Sequence, residues 1–183
     1  MGGVASKIWT ESEICGVGAL IFVTVSTGHF DPLIEECDRL YQRDPSLFSF
    51  FGQIGSGIHT PKFPHKKTMA PDELERLMEE AELVISHGGT GMLSRLYRLK
   101  KKTIVIPKQI RYGEANDGQV ELAVKWDELG MAILCMDVGE LESKINRCRD
   151  TQFYFPDFSS LGTHLSSRLL SGPKRDSSVK SNV

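Results

Sequence analysis

The chain has 183 residues, 40% of them hydrophobic and 25% charged, with a formal net charge of −2. That balance suits one globular domain with a sizeable core and gives no electrostatic case for nucleic acid as a partner. No run reaches the roughly 18 apolar residues of a membrane span, and Cys15–Val25 lies behind an acidic segment, unlike the basic start of a signal peptide.

Residues 1–18 read as an irregular extension. Ala19–Val25 is a continuous apolar, β-branched run, the pattern of a strand buried on both faces. A short loop, Ser26–His29, leads to a helix over Asp31–Tyr41 with Leu33, Ile34, Cys37 and Leu40 on one face. Leu47–Ile54 reads as a second strand, and Gly55–Pro64 as a Gly/Pro-rich loop. Pro71 opens a helix with Asp72 and Glu73 in its first turn, where they complement the helix dipole. Its apolar stripe is Leu74, Leu77, Met78 and Ala81. Leu83–Ser86 is a third strand, followed by a helix from about Gly91 to Leu99. Thr103–Ile106 is a fourth strand, stopped by Pro107. A polar loop over Lys108–Asp117 precedes a helix over Gln119–Leu129. Ala132–Met136 is a fifth strand and Val138–Cys148 a last helix.

Strands and helices alternate, so the expected fold is α/β: a single doubly wound, Rossmann-like parallel sheet with helices on both faces. Its domain spans 19–150. Residues 151–170, with the aromatic stretch Phe153–Phe158, read as a docking segment, and 171–183 as a polar, disordered tail. Cys15, Cys37, Cys135 and Cys148 form no CxxC pair and read as reduced, mostly buried thiols of a cytosolic protein.

Ligands of such sheets bind at the carboxyl ends of the strands. Three loops there carry chemistry. Ser26-Thr27-Gly28-His29 is small enough to approach a phosphate, or is plain turn chemistry. His29 is a candidate general base, or a surface histidine. His87-Gly88-Gly89-Thr90-Gly91 joins a buried strand to a helix. Its glycines allow close backbone approach, and free N–H groups at a helix start point at negative charge, so a diphosphate fits. Thr90 is positioned to cap the helix and donate to a phosphate oxygen. In the third loop, Asp117 and Gln119 are placed to hold sugar hydroxyls, while Asn116 or Asp117 can instead cap the following helix.

Phe22-Val23-Thr24-Val25, Gln53-Ile54-Gly55, the block from Ala81 to Gly91, Ile104-Val105-Ile106-Pro107 and the run from Tyr112-Gly113-Glu114 to Ala123 occur here in order. Together, over residues 20–148, they resemble the C-terminal domain of glycosyltransferase family 28. The resemblance extends to its stand-alone members: the E-type subunits of bacterial exopolysaccharide glycosyltransferases and the catalytic subunit of the eukaryotic dolichyl-diphosphate N-acetylglucosamine transferase. It implies the donor-binding half of a GT-B enzyme. Such a subunit transfers a sugar from a UDP-sugar, with inversion, to a lipid-linked saccharide diphosphate. It works at the cytosolic membrane face through a membrane-anchored partner that carries the acceptor half. The implied donor-binding set is Thr27, Gly28, His87, Gly88, Gly89, Thr90, Gly91, Asp117 and Gln119. The catalytic candidates are His29 and Glu114, with Glu114 also orienting the sugar. No cofactor or metal site is implied.

Three positions depart from the family pattern. Ser26 stands where glycine is common, Arg95 where a carboxylate holds the ribose, and Gly118 where histidine precedes the glutamine. These departures keep open a non-catalytic accessory subunit that stabilises a partner transferase. A dinucleotide-dependent oxidoreductase is disfavoured, because no GxGxxG follows the first strand.

Overall fold

The computed structural model describes residues 19–113 and 118–157. The expected extension over 1–18, Cys15, Glu114, Ala115, Asn116, Asp117 and everything beyond Asp157 lie outside the described residues.

The leading apolar run pairs as β1 (Ile21–Thr24) and is followed by α1 (Asp31–Arg43), β2 (Phe50–Gln53), β3 (His65–Lys66), α2 (Pro71–Glu80) and β4 (Leu83–Ser86). Then come α3 (Thr90–Arg98), β5 (Thr103–Val105), α4 (Gly118–Glu128), β6 (Ile133–Leu134) and α5 (Leu141–Asp150). All strand pairs are parallel, in the order β3-β2-β1-β4-β5-β6. The order reverses between β1 and β4, where Thr24 registers with Ser86.

The side-chain alternation of a strand divides the core. Ile21, Val23, Leu83, Ile85 and Ile104 face α1 and α5, meeting Leu33, Ile34, Cys37, Leu141 and Ile145. Phe22, Phe51 and Val84 face α2 and α3, meeting Leu77, Met78, Met92 and Leu96. Leu93, Val105, Ala123 and Ala132 close the same side under α4. Two buried faces explain the unbroken apolar strands.

Four boundaries differ from expectation. Except for β4, the expected strands are shorter than their apolar runs, although Val25 still donates to the Gln53 carbonyl (3.1 Å). β3 was hidden because two polar edge residues carry no period. Val138–Glu140 forms a 3-10 turn before α5, with the Asp137 carboxylate accepting from the Gly139 N–H (2.9 Å). A second 3-10 turn, Ile110–Tyr112, lies within the expected polar loop. After α5 the chain returns toward α3: Tyr154 donates to the Gly130 carbonyl (2.9 Å), the Tyr97 and Phe155 rings lie 6.3 Å apart, and the Tyr97 hydroxyl donates to the Pro156 carbonyl.

Candidate functional site

The connections after β1 and β4 leave the strand ends for opposite faces, because α1 packs on one side of the sheet and α3 on the other. A crevice opens between them at the point of reversal, the place where open α/β sheets hold ligands.

The β4–α3 turn forms one wall. Gly88 has φ +87°, in the left-handed region, and a Cβ there would lie 2.9 Å from Val105 Cγ1. Only glycine meets both demands. Gly89 is the N-cap of α3 in extended conformation, and its carbonyl accepts the first helical bond from Leu93 (3.0 Å). Thr90 is therefore not the cap expected of it; it is the first helical residue, exposed, and no side chain caps α3. The amino-terminal N–H groups of a helix lack intrahelical partners. The first turn of α3 carries no acid, whereas α1, α2, α4 and α5 carry Asp31, Asp72 and Glu73, Glu121 and Glu142. Among these helices α3 is thus the one whose positive end meets no carboxylate of its own first turn.

Gly91 is exposed, with no atom within 4 Å of where its Cβ would be. Gly89 differs: its Cβ would lie 2.9 Å from His87 Nε2, because the His87 ring folds back over the turn.

The β1–α1 loop forms the other wall. Ser26 has φ +58°, one of two non-glycine residues in the left-handed region among those described. Its N–H donates to Thr24 Oγ1 (3.2 Å), which in turn donates to Gln53 Oε1 (2.9 Å). Thr27 and His29 are exposed and Gly28 is half-buried. The Gly28 carbonyl accepts from the Ser56 N–H (2.8 Å), tying the loops after β1 and β2 together. The Asp31 carboxylate takes the N–H groups of Ile58 (3.3 Å) and His59 (3.0 Å).

The loop after β5 reaches across. Gln109 donates to the Met136 carbonyl (2.7 Å), Arg111 pairs with Asp137 (3.3 Å), and the Tyr112 ring lies 5.1 Å from Phe30. Lys108, which sequence reasoning passed over, is only 7% exposed, and its ammonium lies 3.2 Å from where a Gly28 Cβ would be. A lysine after a strand-ending proline gives no sequence signal; its burial is the clue. Gln119, at the start of α4, has a buried Oε1 with no hydrogen-bond partner.

The structure thus gathers Thr27, Gly28, His29, His87, Gly88, Gly89, Thr90 and Gly91 along one edge. Glu114 and Asp117 lie outside the described residues. Arg95 sits half-buried in the last turn of α3. Among the described residues no three His, Cys, Asp or Glu side chains are placed to hold a metal, and no helix is long and apolar enough to cross a membrane. An apolar hollow of about 430 Å³, walled by Tyr97, Trp126, Leu129 and Met131, lies between α3 and α4. It is away from the strand ends.

The model of the glycosyltransferase family 28 C-terminal domain matches residues 20–155. No curated protein matches the sequence. Among solved structures, the glycotransferase of kitacinnamycin superposes with a TM-score of 0.55 at 16% identity, over 91% of this chain and 42% of that one. UDP-GlcNAc 2-epimerase from Neisseria meningitidis, bound to UDP-GlcNAc, gives 0.51 at 13% identity, over 84% and 44%. The NMR solution structure of ALG13 gives 0.54 at 19% identity, over 86% and 96%. The chain therefore spans less than half of the first two and nearly all of the third.

Proposed function

Because this chain belongs to the glycosyltransferase family 28 C-terminal domain family, we propose that it is the donor-binding half of an inverting, UDP-sugar-dependent hexosyltransferase. The observation that carries the reading is the β4–α3 turn, which presents backbone N–H groups and an acid-free helix start at the reversal of strand order. A UDP diphosphate is the anion such a turn accommodates. The similarity in fold to an epimerase bound to UDP-GlcNAc supports that choice.

In the reaction, an acceptor hydroxyl oxygen bonds to the anomeric carbon opposite the diphosphate. The bond from that carbon to the β-phosphate oxygen breaks, its electron pair stays on the phosphate, and the hydroxyl proton passes to a base. Charge grows on the leaving diphosphate, so N–H groups aimed at it favour the transition state over the bound donor. His29, exposed at the crevice, is the base candidate in this chain. Gln119 offers its unpartnered Oε1 to a sugar hydroxyl; Glu114 and Asp117, outside the described residues, are assigned to the same sugar on the strength of the sequence alone. The acceptor is a lipid-linked saccharide diphosphate, brought by a membrane-anchored partner that supplies the acceptor half.

Gly91→Asp tests the site. An acid near a helix start suits the dipole, and Gly91 has open space, so the fold is retained. The new carboxylate competes with the diphosphate, and calorimetric titration is expected to show UDP affinity reduced at least tenfold with an unchanged Tm. Unaltered UDP affinity overturns the site. The second reading, an accessory subunit, rests on Arg95, whose guanidinium has no acceptor for ribose hydroxyls. It predicts no binding of any UDP-sugar even when the partner is present.

A further inference from the structure

We propose that the chain's own segment 158–171 seats its apolar side chains in the hollow between α3 and α4; this goes beyond the donor-site reading and does not depend on it. The hollow, of about 430 Å³, is walled by Tyr97, Leu122, Trp126, Leu129 and Met131. Ala123 is the one buried residue of α4, while Leu122 and Trp126 stay half-buried and Leu129 is 39% exposed. Covering apolar surface of that kind is favourable, and a patch of it marks a contact surface. The path of the chain says what covers it. Beyond α5 the Tyr154 N–H is bonded to the Gly130 carbonyl, just past the end of α4 (2.9 Å). The Tyr97 ring on α3 lies 6.3 Å from both Trp126 and Phe155, and the Tyr97 hydroxyl donates to the Pro156 carbonyl. Residues 154–156 are thus pinned to the same two helices that wall the hollow. Phe158 follows two positions later, within about 7 Å of extended chain.

The sequence of that segment suits the hollow. Phe158, Leu161, Leu165 and Leu169 recur at steps of three, four and four, the spacing that lines side chains along one face of a helix. Ser160, Thr163 and Ser167 fall on the opposite side, and Gly172-Pro173 ends the pattern. A helix this short is marginal in water unless an apolar face is packed. The hollow supplies the surface that the stripe needs, and the stripe supplies the cover that the hollow lacks. The tether decides between occupants. A segment joined at the rim has an effective concentration of about millimolar, which a second copy or a free partner does not match in dilute solution.

The test uses the full chain. The sequence has two tryptophans, so Trp9→Phe leaves Trp126, on the wall of the hollow, as the sole tryptophan reporter. Into this background go Leu161→Asp with Leu165→Asp, or Ser177→Asp with Ser178→Asp as a control of equal charge beyond the stripe. The expected result is at least a twofold rise in acrylamide quenching of Trp126 and a lower Tm for the leucine pair, with both unchanged for the serine pair. Quenching that is unchanged in the leucine pair, or that rises equally in the serine pair, overturns the proposal. A second measurement leaves the stripe apolar: a benzophenone amino acid replaces Leu165 in the otherwise unaltered chain and is photolysed. Crosslinks within one chain to peptides of α3 or α4 are expected, and this readout holds even where the aspartate variants fail to fold. No crosslink to α3 or α4, crosslinks between two copies, or protection of Trp126 that grows with chain concentration overturns the proposal.

Discussion

Ser26 holds a backbone conformation that its side chain disfavours. Its backbone has φ +58°, the conformation a glycine adopts without strain. The family resemblance implies glycine as the common residue there, and the loop takes a path that suits glycine under a serine side chain. A non-glycine residue in this region costs about 1–2 kcal/mol, and glycine gives back part of that through its freer unfolded chain. Ser26→Gly is therefore expected to stabilise the fold by about 0.5–1 kcal/mol in urea denaturation. Lys100, at φ +51° just beyond the end of α3, is the parallel case far from the crevice. A Ser26→Gly variant less stable than wild type would show that the serine hydroxyl makes up for its backbone. Gly88 is the converse, a left-handed position where glycine is retained and Val105 leaves no space for more.

At the level of elements, the loop between β2 and β3 is held by carboxylates on α1. Buried Asp38 accepts from the Lys62 N–H (2.6 Å) and Gln42 Nε2 (3.0 Å) and faces His59 Nε2 (3.3 Å). Removing it takes away the buried carboxylate that holds the Lys62 N–H and Gln42, so Asp38→Ala is expected to cost about 1–3 kcal/mol. It should also expose the segment around His59 to limited proteolysis; an uncleaved loop at wild-type stability contradicts this. None of this was legible in the sequence, because Asp38 lies on an amphipathic helix among residues that read as surface. What was legible follows from strong periods. β4 was read with its observed ends, since Leu83–Ser86 lies between Glu82 and the polar His87 that leads into the glycines, and the α1 face of Leu33, Ile34, Cys37 and Leu40 is buried as read. The glycine turn was visible because three glycines in four positions exceed what a bare turn needs. The Lys108 ammonium was not, because its placement depends on β4 lying between β5 and β1, and strand order is a tertiary property. Thr90 was misread because Gly89 can also end the extended chain and start a helix.

Across the whole molecule, the paired cores determine how the fold responds to alkali. Burial pushes the Cys135 and Cys148 thiols up to about 12, and Cys37 well above the usual thiol range. The folded chain keeps these protons where the unfolded chain loses them, near pH 8.5. A raised acid pKa leaves stability whole below the unfolded value and erodes it as pH climbs toward the folded one. The urea midpoint is therefore expected to fall steadily above about pH 9; a constant midpoint from pH 8 to pH 10 contradicts it. The binding edge has a different kind of sensitivity. Gly55, at φ +62°, sits so close to the Gly28 carbonyl oxygen that any side chain on it would overlap that atom. The loops after β1 and β2 are thus one unit of inheritance. A descendant of this chain that gained a side chain at 55 would have to rebuild the crevice wall in the same lineage, so glycine at 55 serves as a marker of whether a diverged relative still keeps this wall.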